Sequence, residues 1–228
     1  MMIIGISGQT GAGKTTFAKQ IEESLSGLFS VIYIDVDSLG HQVLKDPVSI
    51  AALTKAFGED ILTDSQIDRK KLGAKAFEST QNTELLNSIM HPRMVKIVED
   101  IIEGNKNNSR NKIIIVDAAL LYKMNLVRLC DKIIYVKADP EVRVKRLMAT
   151  RGWTEERARQ RLFSQDKEPT DIKIKIPAQD IFSNFQRFLS FFLKKYNLLV
   201  FENNGSKEDF KRIFKPMYYA ALVLRCKI

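Results

Sequence analysis

Apolar positions along the chain fall into two rhythms. Met2 to Ser7, Val31 to Ile34 and Lys112 to Val116 are short, nearly continuous apolar runs rich in β-branched side chains, and Lys132 to Val136 has the same character. Runs of this kind read as strands buried on both faces, the condition of a parallel sheet. Between them the spacing becomes helical. Phe17, Ala18, Ile21 and Leu25 share one face of a helix expected from about Lys14 to Leu25 and ended by Gly27. Strands alternating with helices predict an α/β fold, a parallel sheet covered by helices on both faces.

Leu39 to Gly104 breaks the alternation. It shows no convincing strand but carries helical patterns at Val48-Ala51-Ala52-Lys55-Ala56 and Met94-Ile97-Val98-Ile101-Ile102. A helical block inserted between two strands is expected, much longer than an ordinary crossover. Asn105 to Asn111, NKNNSRN, is a polar turn back to the sheet. After the fourth strand, Asp139-Pro140 marks a helix start, with Asp able to cap free amides and Pro suited to the first helical position. A second start is expected at Thr154, with Glu155 and Glu156 near the positive end of the helix.

Farther on, PTDIKIKIPAQD reads as extended or loop, and IFSNFQRFLSFFLKKY is apolar on more than one side. The second stretch is expected to be a helix packed on the body or on another copy of the chain. Leu198 to Phe201 reads as the last strand, and Ser206-Lys207-Glu208-Asp209 as a capping box opening a final helix.

Composition narrows the class. The 228 residues are 45% apolar and 28% charged, and no run approaches the ~18 apolar residues of a membrane span. The start, MMIIG, has no basic segment or cleavage site, so a cytoplasmic protein is expected. Cys130 and Cys226 match no metal-ligand spacing and read as two buried thiols. The net charge of +9, from 36 basic and 27 acidic residues, calls for a polyanionic partner, either nucleic acid or a phosphate-bearing small molecule.

The phosphate reading is the specific one. GQTGAGKTT, Gly8 to Thr16, satisfies G-x-x-x-x-G-K-[ST] through Gly8, Gly13, Lys14 and Thr15, after a strand and before a helix. Glycines let successive amides face one concavity, and the helix start adds its positive end. Lys14 can reach the terminal phosphates and the Thr15 hydroxyl can ligate Mg²⁺. Gly11, Ala12 and Thr16 complete the nucleotide-binding loop. No N-K-x-D guanine signature occurs, which argues against a GTPase. The surviving classes are a motor ATPase, a small-molecule kinase and a nucleotide-sensing module without turnover.

YIDVDSLGH ends the second strand with Asp35 and Asp37 at its carboxyl end, where ligands of open parallel sheets bind. One carboxylate can take the proton of an attacking hydroxyl while the other helps hold hydrated Mg²⁺. The alternative is a pair of aspartates capping the next helix.

Taken together, these motifs resemble the dephospho-coenzyme A kinase family. The resemblance runs through GQTGAGKTT, the D-x-D at Asp35 and Asp37, GEDIL at Gly58, IDRKKLG at Ile67 and AFES at Ala76. It continues through LLNSIMHPRM at Leu85, VDAALLY at Val116 and the basic segment ending in Gln165. It implies a P-loop kinase-like three-layer sandwich that uses ATP and Mg²⁺ to phosphorylate the ribose 3′-hydroxyl of dephospho-CoA. Asp37 would activate that hydroxyl, supported by Asp35, and Asp117 would assist the metal through water. Arg69, His91-Pro92 and Leu120 would serve the acceptor; otherwise Arg69 is a surface charge and His91 a helix cap. One domain is implied: a core sheet (about 1–38, 111–139 and 198–228), an acceptor lobe (about 39–110) and a lid (about 140–168). Residues about 169–197 would be an insert foreign to the family. The rival readings are a nucleoside or nucleotide kinase and a nucleotide sensor.

The lid concentrates charge. Seven basic residues, Arg143, Lys145, Arg146, Arg151, Arg157, Arg159 and Arg161, face only Glu155 and Glu156 between positions 143 and 161. Positioned arginines stabilise charge on a transferring phosphoryl group, and helical spacing prevents all seven from facing it. The resemblance favours Arg146, as a catalytic and ATP-binding group, and Arg151, with Asn204 near the adenine. No nucleic-acid signature or aromatic interleaving accompanies the charge, so no nucleic-acid partner is expected, and no membrane partner. A monomer or weak homo-oligomer is expected. Ala119 and Lys123 depart from the family pattern, which shows proline and commonly an acid there.

Overall fold

The computed structural model describes residues 1–106, 111–163, 175–177 and 198–205. The chain divides into two compact units, one of Met1–Ile34 with Lys106–Ile228 and one of Asp35–Asn105.

The first unit is built on a six-stranded sheet. Its strands are β1 (Met2–Gly8), β2 (Ser30–Asp35), β5 (Lys112–Asp117), β6 (Lys132–Lys137), β7 (Lys175–Pro177) and β8 (Leu198–Glu202). Their order is β2-β5-β1-β6-β8-β7, and β1 pairs in parallel with both β5 and β6. β8 likewise runs parallel to both β6 and β7. Each expected strand is present, and every residue of β1 is buried. That accounts for its unbroken apolar run, since a strand covered on both faces has no solvent face to mark.

Helix α1 (Lys14–Ser26) turns Phe17, Ala18, Ile21 and Leu25 inward, as their spacing predicts. They pack with Ile4, Ile6, Ile113, Ile115 and Phe201, and the Phe17 and Phe201 rings lie 4.8 Å apart by centroid. Gly27 caps the helix in the right-handed region, so it stops α1 without a left-handed turn. Helices α6 (Pro140–Arg151) and α7 (Glu155–Phe163) follow β6 and share a small core of Val144, Leu147 and Ala158. Asp139 precedes α6 as expected, but its side chain makes no capping bond. Instead its amide donates to the Asn204 Oδ1, 2.7 Å away.

The second unit holds α2 (Val36–Val43), α3 (Pro47–Phe57), α4 (Arg69–Ala76) and α5 (Thr80–Gly104). Each start carries a side-chain cap, from Asp35, Asp46, Asp68 and Ser79 respectively. Met90, Met94, Val98 and Ile102 form the buried stripe of α5. The expectation of no strand here is corrected. β3 (Leu62–Thr63) and β4 (Gln66–Ile67) form an antiparallel hairpin around Asp64 and Ser65, whose φ values are 50° and 61°. Two left-handed turn residues match strand twist, but strands of two residues are too short to show alternation. His91 lies in mid-α5, at neither of its ends, so it is not the cap of that helix.

No helix among the described residues is long and apolar enough to cross a membrane. Gln165, Cys226, the aromatic stretch Ile181 to Tyr196 and the expected capping box at Ser206 lie outside the described residues.

Candidate active site

The phosphate loop begins where β1 ends. The Gln9 amide donates to the Val136 carbonyl at 3.0 Å, tying the loop to the end of β6. A Cβ on Gly8 would lie 2.1 Å from that carbonyl, so only glycine fits. Gly13 has a φ of 88°, a left-handed conformation that side chains resist. Lys14 opens α1 with no side-chain cap, which leaves its first amides for a ligand. Thr15 and Thr16 are exposed in that first turn, and Ala12 is buried beneath it.

Lys14 pairs with the carboxylate of Asp117 at the end of β5. The second oxygen of Asp117 accepts a hydrogen bond from the Tyr33 hydroxyl at 2.7 Å. Asp117 is 2% exposed and Lys14 11%, so this is a nearly dry ion pair whose members each depend on the other. The Lys14 ammonium is thereby held at the loop by Asp117. The strand pattern of β2 concealed this contact of Tyr33, because its ring reads simply as another apolar strand position.

Arg146 and Asn203 close the far side of the loop. The Arg146 guanidinium donates to the Ala12, Asn203 and Gly205 carbonyls at 3.3, 3.0 and 3.1 Å. Burial pushes its pKa down from the usual arginine value, although a guanidinium remains charged. Arg143, only 5% exposed, donates from Nε to the Thr10 carbonyl at 2.9 Å. It joins the loop although sequence favoured only Arg146 and Arg151. The signal was its i, i+3 relation to Arg146, which puts both on one helix face.

Arg151 is exposed at the end of α6, its guanidinium 5.1 Å from the Trp153 ring centroid. Arg157 lies 4.9 Å from the same ring. Arg159 makes a two-pronged ion pair with Glu141 and a second bond to Glu155, cross-linking α6 and α7. Five of the seven basic residues therefore divide between loop contacts, by Arg143 and Arg146, and ties within the helix pair, by Arg151, Arg157 and Arg159, while Lys145 and Arg161 are exposed. Asn204, expected near the adenine, is exposed and holds the Asp139 amide, whereas Asn203 turns inward.

Within the second unit, Asp35 accepts from the Ser38 amide and hydroxyl at 3.0 and 2.7 Å, so it caps α2. Asp37 is exposed in the first turn of the same helix. Arg69 is exposed at the start of α4. His91 is half-buried in α5, and Pro92 beside it lines a cavity of about 650 Å³ with Asp46, Arg93 and Lys96. Asp46 and Arg93 are themselves paired at 2.7 Å. A second cavity, about 710 Å³, is lined by residues that include Lys45, Thr54 and Lys55. Leu120 belongs to the first unit, half-buried in the turn after β5, where its carbonyl accepts from Met124 at 2.9 Å.

No cluster of three or more His, Cys, Asp or Glu side chains suited to a metal ion occurs among the described residues. Cys130 is half-buried, and burial pushes its thiol up to about 12. It is therefore no nucleophile at neutral pH.

Comparison with known proteins agrees with this architecture. The dephospho-CoA kinase of Corynebacterium glutamicum is 34% identical over 212 residues, 92% of each chain. That of Corynebacterium efficiens is 36% identical over 215 residues, again 92% of each. Among solved structures, a Thermus thermophilus protein superposes with a TM-score of 0.64 at 22% identity, covering 96% of both chains. Dephospho-CoA kinase from Campylobacter jejuni superposes at 0.51 with the same identity and coverage. At that identity these two report the fold. The sequence profile of the dephospho-CoA kinase family matches residues 2–186. With that match over most of its length and relatives of this identity, the chain belongs to the dephospho-CoA kinase family.

Proposed function

We propose that the protein transfers the γ-phosphoryl group of ATP to the ribose 3′-hydroxyl of dephospho-CoA, the last step in making coenzyme A. The hydroxyl oxygen forms the new bond to phosphorus, the bond to the ADP oxygen breaks, and Asp37 takes the hydroxyl proton. Lys14 and Arg146 meet charge developing on the transferring group, which is most of what a protein contributes to this chemistry. The observation that carries the reading is family membership over nearly the whole chain, combined with a Lys14 held at an uncapped helix start.

Mg²⁺ fits the donors present. The exposed Thr15 hydroxyl would offer one ligand, phosphate oxygens and water would supply most others, and Asp117 and Asp35 would act through water, as suits an ion that keeps its hydration. When bound, the ion neutralises charge shared by the β- and γ-phosphates. The acceptor is read as engaging Asp37, Arg69, His91, Pro92 and Leu120. Cavities of about 710 and 650 Å³ in the helical unit support room for a large acceptor. Gly8, Gly11, Ala12, Gly13, Thr16, Arg151 and Asn204 are read as serving the nucleotide.

The test follows ADP production with dephospho-CoA, with nucleosides and with nucleoside monophosphates as acceptors. Acceleration by dephospho-CoA alone is expected. Acceleration only by a nucleoside or a monophosphate would assign a different kinase, and none by any acceptor would favour a nucleotide sensor.

A further inference from the structure

Asn203 immediately follows β8 and is 5% exposed, an unusual setting for an amide side chain unless both its ends are satisfied. They are. Its Nδ2 donates to the Ala12 carbonyl at 2.7 Å, and its Oδ1 lies 3.5 Å from Arg146 Nη2. Its own amide donates to the Lys137 carbonyl at 2.7 Å, so the residue is anchored to the neighbouring strand before its side chain reaches the loop.

The Ala12 carbonyl and the Gly13 N–H belong to one trans peptide, in which they point in opposite directions. Holding the carbonyl against Asn203 aims the Gly13 N–H the other way. That amide has no hydrogen-bond partner among the described residues. Gly13 is also sterically committed to the arrangement, because a Cβ there would lie 2.7 Å from Asn203 Nδ2.

We propose that Asn203 is a positioning residue for the phosphate loop, holding the Ala12–Gly13 peptide so that the Gly13 N–H faces the nucleotide's phosphates. The proposal rests on the nucleotide half of the function given above and is independent of the acceptor's identity. Asn203 touches neither base nor phosphate; it acts through the peptide it holds.

Two variants test it. Asn203→Ala removes the donor, and Asn203→Asp keeps the shape but sets a carboxylate against a carbonyl. Displacement of bound ADP, which needs no acceptor, is measured with inorganic tripolyphosphate and separately with adenosine. Loss of a buried hydrogen bond corresponds to about a tenfold change in binding. Tripolyphosphate affinity is expected to fall about tenfold in the alanine variant and further in the aspartate variant, with adenosine unchanged within about twofold. In turnover, KM for ATP rises by the same factor while KM for the acceptor stays constant. An equal loss for adenosine would place Asn203 at the base, and unchanged tripolyphosphate binding would reduce it to a structural contact; either overturns the proposal. The aspartate variant carries the measurement if the alanine variant does not fold, and failure of both to fold assigns Asn203 to the fold alone. If the protein proves to use another acceptor, the tripolyphosphate-to-adenosine split is unaffected.

Discussion

At the residue scale, the loop glycines were legible because each answers a backbone demand that no other residue meets. Gly8→Ala would drive a Cβ to 2.1 Å from the Val136 carbonyl, so little soluble folded protein is expected, as measured by expression yield and thermal melting. Lys14→Met is expected to lower kcat/KM by at least about a hundredfold, the scale seen when one charge-stabilising donor is removed. Asp37→Asn should abolish turnover while ADP affinity is retained; unchanged turnover would remove its role as base. Tyr33→Phe deletes the 2.7 Å bond to Asp117, and a loss of about 1 kcal/mol is expected in denaturant melts. What the sequence hid at this scale is orientation. Asn203 and Asn204 are adjacent and chemically identical, and which of them turns inward depends on where β8 stops. Likewise the family resemblance offered Asp117 a place near the metal but gave no sign of the partners it has in the structure, Lys14 and Tyr33.

At the scale of elements, caps and periods predicted well where they were long and strong. α1, α6 and α7 begin at the expected residues, and the four apolar runs are all strands, although β2, at the sheet edge, is buried only at Ile34 and not on both faces as its pattern suggested. The hairpin of β3 and β4 escaped because its signal is a turn conformation rather than an apolar pattern. Gly152 ends α6 at a φ of 61° with open space around it, so Gly152→Ala incurs conformational strain alone. About 1 kcal/mol is expected, equivalent to a fall of about 2–4 °C in Tm. Pro92 lies inside α5 and cannot donate to the preceding turn. Pro92→Ala should raise the thermal midpoint and, because Pro92 lines a cavity, raise KM for the acceptor.

The helical unit also carries a pH signature. The Ser49 hydroxyl, with its amide and Arg93 adding, holds Asp46 below the usual carboxylate value of 3.8. Amides of Lys71 and Lys70 do the same for Asp68, and a hydrogen bond from Lys75 does so for Asp60. A carboxylate depressed in the folded state stabilises above its unfolded value and loses that contribution as pH falls through the folded one. Helix content followed by circular dichroism should therefore decline below about pH 4. Asp68→Asn should weaken that dependence while lowering stability at pH 7.

At the scale of the whole molecule, the α/β class and the helical insertion were readable because alternating strand and helix rhythms survive without any knowledge of contacts. The strand order was not readable, since parallel neighbours such as β1 and β5 are separated by about a hundred residues of intervening chain. Of the basic residues behind the +9, Arg143, Arg146, Arg151, Arg157 and Arg159 are engaged individually with carbonyls, an aromatic ring and carboxylates. ADP at a hundred times its Kd should stabilise the protein by about 2.7 kcal/mol, readable as a concentration-dependent rise in Tm.

β1, buried throughout and paired on both sides, ends one residue before the loop turns. Its amides should be among the last to exchange with deuterium, opening only when the whole sheet unfolds. Nucleotide then has little protection to add within β1, and the isotope label should instead report ligand from Gly11 onward. The boundary between those two behaviours would mark where rigid scaffold becomes binding loop.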